Sequence, residues 1–180
     1  MRRCENCGGE LPTRARRDRR TCSTRCRVAL HRAGALPREL TSRRRWVRHD
    51  RKVPITPDGR AASSTDPSTW STHSEAVRSK AGDGLGFALG DGIACLDLDD
   101  CLDSRGRPNE LAREVLARVP GAYVEISPSG RGLHIWGVAP EQPGRRQIAY
   151  EAYSTGRYIT VTGRVYQRGK LVDLSDFFRG

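Results

Sequence analysis

The run Ile93-Ala94-Cys95-Leu96-Asp97-Leu98-Asp99-Asp100 is largely apolar and ends in acidic residues. This pattern predicts a buried strand. Side chains two positions apart on a strand point to the same face, so Asp97 and Asp99 should project together, with their Cα atoms roughly 7 Å apart. That spacing suits two carboxylates that share divalent ions, and two acids in an apolar strand are costly unless they are paired or bind metal. The competing interpretation of so short a motif is a strand end that turns into solvent.

The sequence around this strand predicts a mixed α/β body. Thr72-x-x-Glu75 resembles a capping box that opens a helix to about Lys80, and Pro108 suits the first turn of a second helix. The apolar face of that second helix would be formed by Leu111, Val115, Leu116 and Val119. Further strands are expected at Leu85–Leu89, Ala122–Ile126, Leu133–Val138, Ile148–Tyr153 and Arg157–Val161, the last two joined by a tight turn at residues 154–156.

Two further stretches carry candidate site residues. The turn-rich segment at residues 127–132 offers backbone N–H groups, Ser129 and the guanidinium of Arg131 to phosphates, and His134 follows it on a strand. An ordinary half-buried histidine is the alternative for His134. Glu151 is an acid flanked by Tyr and Ala, which is out of place unless it pairs or binds metal, and Arg157 follows across a turn. An outward-facing strand acid and a surface arginine are the plainer interpretations of these two residues.

Four cysteines near the N-terminus have the spacing of a zinc site. Cys4-x-x-Cys7 is followed by Cys22-x-x-x-Cys26, so two knuckles offer two thiolates each to a tetrahedral ion. Such a site would be structural because four thiolates leave no open coordination position. Four thiols without metal are the alternative.

Charge is distributed unevenly along the 180 residues. The net charge is +11, and residues 1–60 carry 18 of the 32 Lys and Arg residues but 6 of the 21 Asp and Glu residues. A basic head on a near-neutral body suggests a polyanion-binding arm, although a solubilising tail would look similar. We expect a zinc module at residues 1–33, a basic connector at 34–69 and a catalytic body at 70–180. Phosphate contacts are expected from Arg43, Arg44 and Arg45, with Trp46 either stacked on a base or buried.

The sequence contains no apolar run of 18 residues and no secretory signal at its N-terminus, so we expect a protein of the bacterial host cytoplasm without membrane contact. Thiols are reduced in that compartment, which favours metal binding by the cysteines over disulfides.

Four separated motifs together resemble the bifunctional DNA primase/polymerase N-terminal domain of phages and plasmids, in the archaeo-eukaryotic primase superfamily. They are the Gly-rich run at residues 84–90, Asp97-x-Asp99, the stretch from Glu125 to His134, and Glu151 with the following Gly156-Arg157-Tyr158 and residues 160–163. The resemblance implies an α+β fold with an RRM-like primase-polymerase core behind the zinc module. It also implies residue roles: Asp97, Asp99 and Glu151 as Mg²⁺ or Mn²⁺ ligands, His134 as a contact to the nucleotide phosphates, and Ser129, Arg131 and Arg157 as further triphosphate contacts.

The function implied is that of a stand-alone primase/polymerase of a phage, plasmid or integrated element. It would transfer nucleotides from (d)NTPs to a 3′-hydroxyl on a single-stranded DNA template, with catalytic Mg²⁺ or Mn²⁺, structural Zn²⁺ and a separate replicative helicase. Two alternatives remain open. One is a zinc-headed DNA-binding replication initiator or regulator with little catalysis, and the other is a metal-dependent nuclease that uses the same acids.

Overall fold

The computed structural model describes residues 2, 4, 9–13, 15–16, 18–27 and 36–179. The chain divides into two compact units, Met1–Ala35 and Leu36–Gly180. The second unit therefore includes nearly all of the expected connector at residues 34–69, which carries two strands of a sheet. That segment was interpreted as a basic connector leading into the body, because residues 46–55 alternate too weakly in polarity to be recognised as strands from the sequence. None of the helices in the described ranges is long and apolar enough to cross a membrane.

The larger unit consists mostly of strands. Its helices are α1 Arg38–Thr41, α2 His73–Arg78 and α3 Glu110–Ala117, with 3₁₀ turns at Pro67–Thr69 and Ser175–Phe178. Its strands are β1 Trp46–Asp50, β2 Val53–Ile55, β3 Gly84–Ala88, β4 Ile93–Leu98, β5 Tyr123–Ile126, β6 Leu133–Val138, β7 Arg145–Arg146, β8 Glu151–Tyr153, β9 Tyr158–Val161, β10 Val165–Gln167 and β11 Val172–Asp173.

These strands form two sheets. The smaller sheet has the order β2-β1-β3-β9 and is antiparallel throughout. The larger sheet follows the path β10-β5-β6-β4-β8-β7, also antiparallel, and β11 adds to β6 in parallel. Antiparallel sheets with few helices make this an α+β fold, as predicted.

The alternation of side chains along β4 separates two hydrophobic clusters. Ala94, Leu96 and Leu98 lie in one cluster with residues of α3 and the C-terminal aromatic residues. Ile93 and Cys95 lie in the other, which includes residues of the smaller sheet. The second face of β4 therefore carries two buried apolar residues and then Asp97, while Asp99 lies in the turn just after the strand.

One predicted connection differs in the structure. The strands before and after residues 154–156 were expected to be joined as neighbours by a tight turn, but β8 pairs with β4 in the larger sheet and β9 pairs with β3 in the smaller one. The turn thus passes the chain from one sheet to the other. Pairing partners that lie 54 to 76 residues away in the sequence decide this, and local turn chemistry does not reveal them.

The helix starts confirm the local signals in the sequence. Thr72 accepts a hydrogen bond from the N–H of Glu75, and the Glu75 carboxylate accepts one from the N–H of Thr72, so both halves of the capping box are present. Asn109 caps α3 by accepting from the N–H of Ala112, so Pro108 precedes the cap and does not lie in the first turn, where it was predicted. Leu111 is exposed, so the predicted apolar face of α3 is narrower than expected.

Replacing Thr72 by Ala should lower the free energy of unfolding by about 1 kcal/mol, because an N-cap acceptor is lost. Urea titration followed by circular dichroism measures this. Ser104→Ala, in an exposed turn, is the matched control and should change the unfolding free energy little. Equal values for the two variants would contradict the capping role.

Candidate functional site

Four ionisable side chains lie in one row across the larger sheet. The register pairs Glu125 with His134, His134 with Asp97, and Asp97 with Glu151. A second row lies two residues away along each of these strands. It is apolar and consists, in the same strand order, of Tyr123, Trp136, Cys95 and Tyr153. Because the spacing between rows is two residues, both rows lie on the same face of the sheet. An apolar row therefore borders a row of acids and a histidine.

A cleft of about 440 Å³ opens at this polar row. Its volume is within the range of sites that hold small molecules. Five of the predicted site residues line it: Asp97, Asp99, Ser129, His134 and Arg157. The remaining lining residues are Lys52, Pro54, Ser64, Ser127, Pro128, Tyr158, Ile159 and Thr160.

The carboxylate of Asp97 is the least satisfied polar group of the cleft. Its Oδ1 atom is buried and makes no hydrogen bond within the described residues. The nearest partner, Nε2 of His134, is 3.6 Å away, which is too long for a hydrogen bond. Burial raises the pKa of Asp97; His134 opposes this shift, and Asp99 and Glu151 add to it. An acid in this setting is stabilised by a cation.

Carboxylates, which are candidate ligands of a divalent cation, lie near one another at this position. Asp97 on β4 and Asp99 in the turn after it line the cleft, and Glu151 lies beside Asp97 on β8. Carboxylate oxygens are the ligands that Mg²⁺ and Mn²⁺ prefer, and a buried oxygen without a hydrogen-bond donor is open to such an ion. In the described residues, the ligand atoms of Asp97, Asp99 and Glu151 do not all lie within 4.8 Å of one another, so Asp97 is the one of the three whose surroundings favour a cation.

Glu151 already has two partners. Nε of Arg146 lies 2.9 Å from its Oε1, and the hydroxyl of Tyr153 donates to its Oε2. Arg157 donates to the hydroxyl of Tyr153 at 3.0 Å, and its guanidinium carbon lies 4.3 Å from the centre of the Tyr153 ring. Burial, followed by the hydrogen bond to Glu151, raises the pKa of Tyr153 to about 12. Tyr153 thus keeps its proton and connects the acid to the arginine.

The turn between β5 and β6 is built on Ser127. Its Oγ accepts from the N–H of Gly132 at 3.2 Å and lies 3.0 Å from Oγ of Ser129. A Cβ atom on Gly132 would lie 2.6 Å from the carbonyl oxygen of Leu98, so only glycine fits this close approach to β4. The turn presents Ser129 to the cleft, whereas Arg131 forms an exposed ion pair with Asp100 at 2.9 Å.

The arginine cluster at residues 43–45 has mostly structural contacts. Arg43 pairs with Asp91, Arg44 pairs with Glu75 at 3.2 Å, and Arg45 donates to two backbone carbonyls at 2.7 Å. Trp46 is fully buried, and its indole N–H donates to the carbonyl of Leu40. The expectation that Trp46 stacks on a base is corrected by this burial, which takes the ring away from solvent.

Three of the four N-terminal cysteines lie together. The sulfur atoms of Cys4, Cys22 and Cys26 are within 4.8 Å of one another, and Cys7 lies outside the described residues. Zinc–sulfur bonds of about 2.3 Å place tetrahedral sulfurs roughly 3.8 Å apart, so this cluster fits such an ion. Ser23 accepts from the N–H of Cys26 at 3.1 Å and holds the helical turn at residues 24–27.

Sequence reasoning did not assign a role to Glu125, Tyr153 or the residues that the smaller sheet contributes. A charged residue inside the apolar strand Tyr123–Ile126 was a usable signal for Glu125, since the same argument had identified Asp97. Lys52 and Ser64 lie in the segment that was interpreted as a connector, and no local signal places them at the cleft.

Two comparisons with known proteins identify what this chain is similar to. A family model described as bifunctional DNA primase/polymerase, N-terminal, matches residues 25–173. A protein of Nitratiruptor phage NrS-1 named DNA primase-polymerase is 41% identical over an alignment of 140 residues that covers 67% of this chain and 19% of that protein. The chain thus spans about a fifth of the length of this relative.

In metal-free buffer at neutral pH, Asp97→Asn should raise the melting temperature. Burial raises the pKa of this carboxyl, so its ionised form costs stability above the folded-state pKa, and that cost disappears as the pH falls. A gain of about 1 kcal/mol in the free energy of unfolding raises the melting temperature of a protein of this size by roughly 2–4 °C. Differential scanning calorimetry in EDTA measures it.

Added Mn²⁺ should raise the melting temperature of the wild-type protein more than it raises that of the Asp97→Asn variant. Glu114→Gln, an exposed helix position, is the control and should behave like the wild type in both buffers. Equal Mn²⁺ shifts in wild type and Asp97→Asn would contradict the metal assignment.

Proposed function

The chain belongs to the family of bifunctional DNA primase/polymerase N-terminal domains, and we propose that it is the nucleotidyl-transferring domain of a phage, plasmid or integrated-element primase/polymerase. The observation that carries this proposal is the cleft: Asp97, Asp99 and His134 line it, and within the described residues the buried oxygen of Asp97 has no hydrogen-bond donor. The phage relative named DNA primase-polymerase supports the same assignment.

In the proposed reaction, the 3′-hydroxyl of a strand that is paired to the DNA template attacks the α-phosphate of a (d)NTP, and pyrophosphate leaves. Mg²⁺ or Mn²⁺ held by Asp97, Asp99 and Glu151 would supply charge neutralisation of the triphosphate. His134 and Arg157 bring donors to the phosphates from two sides of the cleft, and Ser129 adds its hydroxyl. Arg131 would first leave Asp100, which costs little because exposed ion pairs contribute about 0–1 kcal/mol.

The rest of the assignment concerns how the template is held. We propose that the larger sheet is the RRM-like core of the family and that residues 1–33 form a zinc module on four cysteines. Exposed arginines, including Arg44, would contact template phosphates without reading sequence. This activity would take place in the bacterial host cytoplasm.

A priming assay on single-stranded DNA with labelled nucleotides and Mn²⁺ or Mg²⁺ tests the function. The wild type should make short products, and Asp97→Ala/Asp99→Ala should lose at least 100-fold of that synthesis while still binding DNA, since charge stabilisation in the transition state is worth about two orders of magnitude or more. Glu114→Gln is the matched control and should keep full synthesis.

The same assay separates the alternatives. Cleavage of labelled DNA in the absence of nucleotides would favour a metal-dependent nuclease. Tight DNA binding, without priming and without extension of a supplied primer, would favour a DNA-binding initiator. Unchanged synthesis in the double variant would reject the metal-site assignment.

Cys22→Ser should weaken initiation more than primer extension, by about tenfold in initiation, because the proposed zinc module contacts the template and does no chemistry. Initiation and extension rates on one template measure this split, and zinc content by mass spectrometry reports whether the ion is lost. Ser104→Ala serves as the control. Equal loss of both activities would assign the module a purely structural role.

A further inference from the structure

Glu125 is a fully buried carboxylate that is not part of the cleft wall. It lies next to His134 in the polar row of the larger sheet. Within the described residues its ion-pair partner is His134. A buried charge of this kind is retained only where hydrogen-bond donors satisfy it, so its partners indicate what it does.

Every partner of Glu125 other than the histidine can only donate. Oε2 accepts from the backbone N–H groups of Thr162 at 3.2 Å and Gly163 at 2.9 Å, and Oε1 accepts from the indole N–H of Trp136 at 3.3 Å. Nδ1 of His134 is the one neighbouring atom that could accept a hydrogen from a protonated carboxyl, and the three N–H donors favour the acceptor-only form over that arrangement. The arrangement therefore fits the ionised, acceptor-only form.

The fourth contact of Glu125 determines the state of the His134 ring. Nδ1 of His134 lies 3.4 Å from Oε1, and Nε2 lies 3.6 Å from Oδ1 of Asp97 on the cleft side. An acceptor-only carboxylate beside Nδ1 requires that this nitrogen carries a proton. Nε2 is thereby the nitrogen that faces the cleft, and the plane of the ring is fixed.

We infer that Glu125 is a positioning residue that holds His134 with Nδ1 protonated and Nε2 directed at the cleft. This inference rests on the proposed function only for its kinetic consequence, namely that His134 is set in advance to meet the phosphates of the nucleotide. Outer partners of this kind fix the tautomer and orientation of functional histidines.

The same carboxylate also connects the two sides of the cleft. Thr162 and Gly163 follow β9, whose residues Tyr158 and Thr160 line the cleft from the smaller sheet. Thr162 additionally donates from its hydroxyl to the carbonyl of Ile126 at 2.7 Å. Glu125 thus holds the end of β9 against β5. One carboxylate therefore contacts both His134 and the segment that continues the opposite wall of the cleft.

The decisive measurement is the ring-nitrogen NMR spectrum of His134 in the full chain labelled with ¹⁵N-histidine. The chain has 4 histidines, and comparison with His134→Gln assigns the signals of His134. We expect a proton on Nδ1 in the wild type, either alone or with Nε2 also protonated. A ring protonated only at Nε2 would overturn the inference without any variant of Glu125.

Glu125→Gln sharpens the test because it keeps size and removes one acceptor. Two of the facing donors are backbone N–H groups and one is an indole, none of which can accept, so the new amide NH₂ can be satisfied only by His134. We expect His134 to move its proton from Nδ1 to Nε2. An unchanged ring spectrum in a folded Glu125→Gln protein would contradict the positioning role.

Kinetic measurements test whether the position of His134 affects nucleotide incorporation. Glu125→Gln should lower kcat/KM for nucleotide incorporation by about 10–100-fold, while Glu114→Gln should leave it unchanged. If neither wild type nor variant incorporates nucleotides, the proposed function fails and the NMR result still decides the role of Glu125. If the proton of His134 moves to Nε2 in Glu125→Gln but the variant keeps full activity, the tautomer does not affect nucleotide incorporation, and that part of the inference is rejected.

Discussion

The antiparallel register that holds β4 between β6 and β8 is the constraint on which the site depends. It pairs Asp97 with His134 on one side and with Glu151 on the other. A shift of one residue in either pairing would turn the carboxylates into the apolar cluster behind the sheet and bring leucines to the cleft. The register is strongly specified because Leu96 and Leu98 are fully buried on that opposite face.

The polar row tolerates its burial in two different ways. Glu125 is surrounded by N–H donors, so its charge is satisfied within the fold. Asp97 has a buried oxygen without a hydrogen-bond donor among the described residues, and burial raises its pKa. Two carboxylates in one row therefore differ in their partners: the oxygens of Glu125 accept from protein N–H groups, whereas a buried oxygen of Asp97 has no such donor within the described residues. Sequence spacing alone does not show this difference.

The sequence predicted the parts of the fold that depend on local patterns. The strand Ile93–Leu98 and the capping box at Thr72 were both confirmed, since periodicity and capping chemistry involve neighbouring residues. It did not predict that β8 and β9 belong to different sheets, because their partners are distant in the chain. The predicted acids and His134 lie together at the cleft or beside it, whereas Arg131 pairs with Asp100 because a flexible exposed side chain has no pattern that fixes its partner.

The wall contributed by the smaller sheet depends on a hairpin that local preferences disfavour. Arg51 and Lys52, between β1 and β2, have φ angles of 47° and 65°, a conformation that normally calls for Asn or Gly. Tyr158 compensates by donating its hydroxyl to the carbonyl of Lys52, and its ring lies over Gly86, where a Cβ atom would be 2.5 Å away. Strain of this kind costs of order 1 kcal/mol or more per residue and persists where tertiary contacts over-determine it. Because the same contacts bring Lys52 and Tyr158 to the cleft, the strained turn completes the second wall of the site.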